Sequence, residues 1–328
     1  MRHLTVEIQS WPYAKPFAIT GHTFHASSVI YLTIRDESTG QSILGRGEGC
    51  GVFYQGETAE SMLAQINSIK EQIEAGCTRA ELLTLLPSGG ARNAVDCALW
   101  DLESKLAGET IWQISNVPQR EVNTVYTVSI DSAENMAQQA KSLDSQYLKV
   151  KLDDIEPLQK ITAVRKARPD AVIVVDVNQG WSFEQLVDLA PKFKELNVVM
   201  IEQPLPRGYD HELLDYESPI PLCADESCLD SSELDDAAKK YTMINIKLDK
   251  TGGLTEALHL VKQAKRKGLK LMVGNFMGTS LSMAPAFVVA QFCELADLDG
   301  PIILKQDRDF GLSYYKGLVE GLTPKLWG

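Results

Sequence analysis

One spacing constrains this chain more than anything else in it. From residue 125 onward, short β-branched runs alternate with segments whose apolar residues recur at helical spacing, as in GLTEALHLVKQAKRKG. The runs are VYTVSI, YLKVKL, VIVVDV, VVMIEQP, PLCADES, MINIKL, LKLMVGNF and ELADLDG. A polar or small residue stands at or near the C-terminal end of each: Thr127, Lys151, Asp176, Glu202, Asp225, Lys247, Gly274 and Asp297. Successive stations lie 22 to 27 residues apart, the length of one strand, one helix and two short loops. Eight such units, laid parallel with right-handed crossovers, close into a (β/α)8-type barrel. A doubly wound open sheet is the competing arrangement. The regular period, with no Gly-rich dinucleotide turn, favours closure.

Residues 1–120 do not follow the period. HLTVEIQSW, SSVIYLTIRD and SILGRGEG read as antiparallel strands, and the segments from ETAESMLAQ to LESKLAG read as helices. In the last of these Ala94, Val95, Ala98, Leu99, Leu102 and Leu106 share a face, and Gly108 supplies the stop. The expected organisation is therefore an α+β capping domain over 1–120, a barrel over 121–304 that carries the chemistry, and a tail over 305–328 that packs back on the cap.

Active sites of barrels gather at the C-terminal strand ends. Side chains alternate along a strand, so Lys149 and Lys151 share one face. Two neighbouring ammonium groups disfavour each other's charge, which predicts a depressed lysine pKa and a general base. Asp176, Glu202 and Asp225 place one carboxylate on each of the next three strands, and Lys247 follows on the fourth. Converging carboxylates repel unless a cation joins them, and oxygen-only ligands point to Mg2+. Asn178, two residues past Asp176, is placed to support that site. The bland alternative is that a strand-end aspartate caps the next helix. It serves for one aspartate and poorly for five charges on one period. The full order, Lys-Asp-Glu-Asp-Lys, suits proton transfer next to a carboxylate: one lysine removes an α-proton, the metal stabilises the enediolate, and the other lysine protonates the opposite face. Asp249 and Lys250 are read as loop-shaping, Gly252 and Gly253 as a helix start, and Glu226 as pointing away from the site.

The stretches ARNAVDCALWDLESK, LKVKLD, VVDVNQGW, IEQPLP, CADES, NIKLDKTGGLTEA and ADLDGP together resemble the enolase superfamily, within it the muconate-lactonizing subgroup, and most of all the L-Ala-D/L-Glu dipeptide epimerases. The resemblance implies a Mg2+-dependent epimerase with Lys151 and Lys247 as acid/base residues, Lys149 tuning Lys151, and Asp176, Glu202 and Asp225 on one Mg2+. It also implies that Asp297 and Asp299 bind the α-ammonium of a dipeptide; the plainer reading of DLDGP is a turn. Two regions depart from the pattern. His22, Phe24 and His25 stand in the cap loop where Glu-selective relatives offer an arginine, and Asn275, Phe276 and Met277 follow the seventh strand. Both regions are expected to shape substrate specificity. Other enzymes of the subgroup (o-succinylbenzoate synthase, N-acylamino-acid racemase, cycloisomerase) are the alternative, and an idle barrel that binds a small anionic metabolite is the alternative of another class.

A net charge of −12 argues against a nucleic-acid surface, which needs clustered Lys and Arg. No signal-peptide h-region opens the sequence, and no apolar run is long enough to cross a bilayer. Six cysteines without a CxxC pair suggest reduced thiols. The expected setting is cytoplasmic, with a small-molecule dipeptide as partner. A homo-oligomer is left open.

Overall fold

The computed structural model describes residues 1–19 and 22–328, without the side chains of Ala18, Ile19 and His22. β1 (Arg2–Ile19), β2 (His22–Asp36) and β3 (Ile43–Cys50) form an antiparallel sheet in that order. Its inner face, Leu4, Ile30, Leu32 and Ile34, packs against α1 (Ala59–Ser68), α2 (Lys70–Ala75), α3 (Arg79–Leu85) and α4 (Gly90–Ala107). Thr58 and Thr78 open α1 and α3 with reciprocal side-chain caps. Gly108, at φ 67°, ends α4. α5 (Ile111–Ser115) and the short β4 (Val122–Asn123) lead to the barrel.

Eight parallel strands then follow in spatial order: β5 (Tyr126–Val128), β6 (Tyr147–Lys151), β7 (Val172–Asp176), β8 (Val198–Glu202), β9 (Leu222–Ala224), β10 (Met243–Lys247), β11 (Lys270–Gly274) and β12 (Leu295–Ala296). The sheet curls until its ends meet, where the Val125 N–H donates to the Ala296 carbonyl at 2.8 Å. α6 (Ala133–Ser142), α7 (Pro157–Ala167), α8 (Phe183–Glu195), α9 (Leu234–Lys240), α10 (Leu248–Thr251), α11 (Leu254–Arg266), α12 (Ser280–Ala290) and α13 (Gly300–Ile303) surround it. Two crossovers differ from the expected strand-helix unit. After β8 there is only a 3-10 turn, His211–Asp215, in a segment bracketed by Pro204, Pro206, Pro219 and Pro221, which oppose helix. After β12 a single turn suffices before the chain leaves the barrel.

Strand alternation sets the site's position. Val125, Val174, Met200, Cys223, Met243 and Met272 plug the barrel interior. Two residues above four of them come Asp176, Glu202, Asp225 and Asn245, with Lys247 two further on. Residues of the opposite parity, such as Ile173, Val175, Ile244 and Ile246, pack on the outer helices.

Helix α4 joins the two cores. Ala94, Val95, Ala98, Leu99 and Leu102 face the cap core, while Cys97 and Trp100 belong to the barrel core. The tail forms β13 (Ser313–Tyr315) and β14 (Leu318–Glu320), an antiparallel pair that joins β4 through β14. It also touches the cap: Arg308 Nη2 lies 2.6 Å from Glu48 Oε2, and buried Trp327 donates to the Cys97 carbonyl at 2.9 Å. All six cysteines are free, and among the described residues no helix is long and apolar enough to cross a membrane.

Candidate active site

Lys151, the last residue of β6, donates to Asp176 Oδ2 at 2.6 Å and to Asn178 Oδ1 at 3.0 Å. Asn178 sits in the left-handed region at φ 45°, which asparagine tolerates. Its N–H donates back to Asp176 Oδ1 at 3.0 Å. Burial works against the charge on Asp176, but Lys149 and Lys151 hold its carboxyl down at about 2.

Lys149 lies one step deeper. Its ammonium is 3.0 Å from Asp176 Oδ2, 2.8 Å from Glu202 Oε2 and 2.8 Å from Asp297 Oδ2. Of the two neighbouring lysines expected to disfavour each other's charge, Lys149 is not the depressed one. Burial opposes the charge, yet Asp176, Asp297 and Glu202 outweigh it and hold Lys149 well above the usual lysine range. Lys151 is its neighbour along the strand, but closing the barrel brings three carboxylates round it as well.

Asp225 sits between two other lysines. Its Oδ2 accepts from Lys247 Nζ at 2.7 Å and its Oδ1 from Lys250 Nζ at 2.8 Å. Burial opposes its ionisation, and Lys247 and Lys250 hold it well below the carboxylate range. For Lys247, burial lowers and Asp225 raises, with a net rise. Lys250, read from sequence as part of a loop, is wholly buried and also donates to the carbonyls of Asn245 at 2.8 Å and Cys228 at 3.0 Å. Asp249 accepts from the Cys50 N–H at 2.9 Å and from Asn93 Nδ2 at 2.7 Å, which ties α10 to the cap.

Among the described residues no three His, Cys, Asp or Glu side chains stand at the spacing of a formed metal site. Each of the three carboxylates is turned onto lysine instead. The donor set still fits a hard divalent cation: Asp176, Glu202 and Asp225 are all buried and offer only oxygen. Glu202 adds an observation of its own. Asn245 Nδ2 donates to its Oε1 at 2.7 Å, whereas Oε2, though near Lys149, is buried without an aligned hydrogen bond.

A cavity of about 440 Å³ opens above these groups, between cap and barrel. Lys151, Asn178, Lys247, Asn275, Phe276 and Met277 line it from the barrel, and Phe24 lines it from the cap. His25 is exposed and does not line it, which corrects its expected place; along β2 it alternates with Phe24. The side chain of His22 lies outside those described. Asp297 and Asp299 do not line the cavity either. The Thr127 N–H donates to Asp299 Oδ2 at 2.8 Å, and Oδ1 of each aspartate is buried without a hydrogen-bond partner. Burial, then the neighbouring Asp297, push Asp299 up to about 8.

Several lining residues escaped the sequence reading: Tyr13, Phe17, Phe53, Tyr54 and Glu226. Glu226 was expected to point away by alternation from Asp225. Both residues lie past the end of β9, where alternation no longer holds. Its Oε2 is buried and unpaired, and burial together with Asp225 push its carboxyl up to about 8. The aromatic residues come from the cap strands and a 3-10 turn, Phe53–Gln55, for which the sequence carries no period.

Residues 1–114 match the N-terminal domain family of mandelate racemase / muconate lactonizing enzyme, and residues 133–304 match the enolase C-terminal domain-like family. The chain is 39% identical to the L-Ala-D/L-Glu epimerase of Escherichia coli (strain K12) over 321 residues, 97% of this chain and 99% of that protein. It is 42% identical to an N-acetyl-D-glutamate racemase of Pseudoalteromonas sp over 250 residues, 76% of this chain and 79% of that one. A crystal structure of an enolase family member from Agrobacterium tumefaciens, with homology to dipeptide epimerases and with bound sodium and L-Ala-L-Glu, superposes with a TM-score of 0.96 at 41% identity, covering 100% of both chains. A dipeptide epimerase from Enterococcus faecalis V583, complexed with Mg and L-Leu-L-Tyr, superposes with a TM-score of 0.88 at 26% identity over 97% of this chain and 96% of that one.

Proposed function

The chain belongs to the mandelate racemase/muconate lactonizing enzyme family of the enolase superfamily and is an L-Ala-D/L-Glu epimerase-like dipeptide epimerase, and from that premise we propose that Lys151 and Lys247 invert the α-carbon of the substrate's C-terminal residue. One observation carries this reading. Both ammonium groups border a single cavity, and each is anchored by a carboxylate from a different strand end.

In its neutral form, one of these lysines takes the α-proton, and the other, charged, returns a proton from the opposite face. Asp176 and Asp225 keep the two stems pointing into the cavity. Asp176, Glu202 and Asp225 would also hold one Mg2+, which when bound supplies positive charge for the substrate carboxylate and for the negative charge that grows as the proton leaves. The ring-lined wall of Phe24, Phe53 and Tyr54 receives the C-terminal side chain. No arginine is among the described lining residues, so a bidentate clamp on a Glu side chain is absent there. L-Ala-L-Glu remains the first substrate to test, on overall similarity, with apolar and aromatic side chains as serious competitors. In this reading residues 1–120 act as cap, 121–304 as catalytic barrel and 305–328 as the tail that fastens them.

Asp297 and Asp299 are proposed to receive the free α-ammonium, supported by their two unpaired oxygens. A specific observation favours a second reading. Lys149 already occupies Asp297 Oδ2, and neither aspartate lines the cavity. An N-acyl amino acid, which brings no ammonium, would leave that arrangement undisturbed.

Epimer-resolved mass spectrometry in D2O tests both readings. Lys151→Ala and Lys247→Ala should each abolish epimerisation, and each should retain α-proton exchange on only one epimer. Wild-type epimerisation in either variant would overturn the two-base assignment. Comparing L-Ala-L-Glu with its N-acetyl form decides the amine: acetylation should cost a factor of roughly 30 or more if it strands a buried carboxylate pair, whereas equal turnover would establish the second reading.

A further inference from the structure

Lys247 is guided along its whole length. It ends β10 in register with Gly274, the last residue of β11. A Cβ at Gly274 would stand 3.1 Å from Lys247 Cε and 2.8 Å from both terminal atoms of Asn245. Asn245 cannot yield freely, because it donates to Glu202 at 2.7 Å. The missing side chain is therefore the gap through which the lysine stem passes. At the far end Asp225 takes one ammonium N–H, and the Phe276 ring faces the nitrogen, with its centroid 4.7 Å from Nζ.

That ring is itself held. Phe53 meets it at 6.4 Å between centroids, nearly perpendicular, and Tyr54 at 6.0 Å. Phe24 in turn packs on Phe53 at 5.5 Å. The segment that carries the ring is pinned on both sides of it: Asn275 Nδ2 donates to the Asp297 carbonyl at 2.7 Å, and Asn275 Oδ1 accepts from the Met277 N–H at 2.6 Å. Among the described residues no ring faces the Lys151 ammonium; its second contact is the Asn178 amide oxygen.

A lysine stem has four rotatable bonds and reaches many positions. A cation over a ring face is drawn toward the centroid, which selects one direction among them. We propose that Phe276 is a positioning residue for Lys247: its ring face, together with the gap at Gly274, aims the Lys247 ammonium at one face of the substrate's α-carbon. The two faces are then prepared by different devices, an amide beside Lys151 and an aromatic ring beside Lys247. This proposal rests on Lys247 being one of the two acid/base groups.

The test measures α-proton exchange in D2O from each purified epimer separately. Lys247→Ala comes first, because the epimer whose exchange it abolishes identifies the Lys247 face. Phe276→Leu should slow exchange on that face by roughly 5- to 30-fold and leave the other face within about twofold. Phe276→Met, of similar bulk and without a ring face, should do the same, and serves if the leucine variant fails to fold. Phe276→Tyr should restore the lost rate. In a Lys247→Ala background, Phe276→Leu should not slow the exchange that survives. Equal slowing of both epimers, or slowing in the Lys247→Ala background, would make Phe276 a wall of the substrate pocket and overturn the proposal. Unchanged epimerisation in Lys247→Ala would instead remove the two-lysine reading on which it stands.

Discussion

Asp249 is a buried carboxylate with two donors, the Cys50 N–H and Asn93 Nδ2, both on its Oδ1. Burial, reinforced by nearby Glu57 and Glu48, pushes it from 3.8 up to about 7. The folded chain therefore keeps this proton up to about pH 7, whereas the unfolded chain releases it near 3.8. Through that window the folded state binds more protons, so this group's contribution falls as pH rises and is lost above it. Asp249→Asn keeps an acceptor for both donors and has no proton to lose. Urea denaturation between about pH 5 and about pH 8 should show wild type losing up to ~1.4 kcal/mol per pH unit relative to the variant; parallel stability curves would contradict it. Asp249 and Lys250 also mark where single-residue reading stops. Lys151, Asp176, Glu202 and Lys247 are legible because strand alternation and a common period fix where they point, and Asp225, one residue past the end of β9, is legible from the period alone. Lys250 and Glu226 lie past strand ends, where the chain turns and alternation lapses. A short helix folds Lys250 back under Asp225, and no local pattern in the sequence encodes that turn.

At the scale of elements, β3 and α4 meet backbone to backbone. Gly45, Gly47 and Gly49 occupy alternate positions on β3, and built Cβ atoms there would stand 2.3 Å from the Ala98 carbonyl oxygen, 1.9 Å from that of Ala94 and 2.1 Å from that of Gly90. A strand step of two residues is thus matched to a helix step of four. The residues between the glycines face the other way: Arg46 donates to the Lys325 carbonyl at 2.6 Å, and Glu48 accepts from Arg308 and from the Thr279 hydroxyl. Gly47→Ala should cost about 1–3 kcal/mol or more, because the obstructing atoms are backbone and cannot rotate away. Chemical denaturation measures it, and an unchanged midpoint would mean that strand and helix separate freely. SILGRGEG reads as a strand, but a glycine shows no apolar pattern, so nothing in the sequence marks the missing side chains as the packing surface. The period likewise implies eight strand-helix units. The prolines around the fourth crossover replaced a helix with a 3-10 turn, although the spacing of the strands was kept.

Across the whole molecule, the barrel mouth holds opposite charges in balance. Lys149, Lys151, Lys247 and Lys250 are ion-paired with Asp176, Glu202, Asp225 and Asp297, four charges against four. Tail and cap are fastened to each other elsewhere, by Arg308 on Glu48 and by Trp327 on the Cys97 carbonyl. A divalent cation brought into such a site adds two positive charges where the ionised carboxylates already match the lysines, Glu226 and Asp299 being pushed up to about 8. A substrate carboxylate supplies one of the missing negative charges. Metal and dipeptide should therefore bind with positive coupling, and linkage makes that coupling equal in both directions. Chelation should abolish epimerisation and added Mg2+ should restore it. Calorimetric titration of Mg2+ should show an affinity at least ~5-fold higher in the presence of a dipeptide already brought to its epimer equilibrium, where no net turnover remains. Equal Mg2+ affinity with and without dipeptide would remove the charge-balance argument. Full activity in a sample verified free of metal would remove the metal from the reaction altogether.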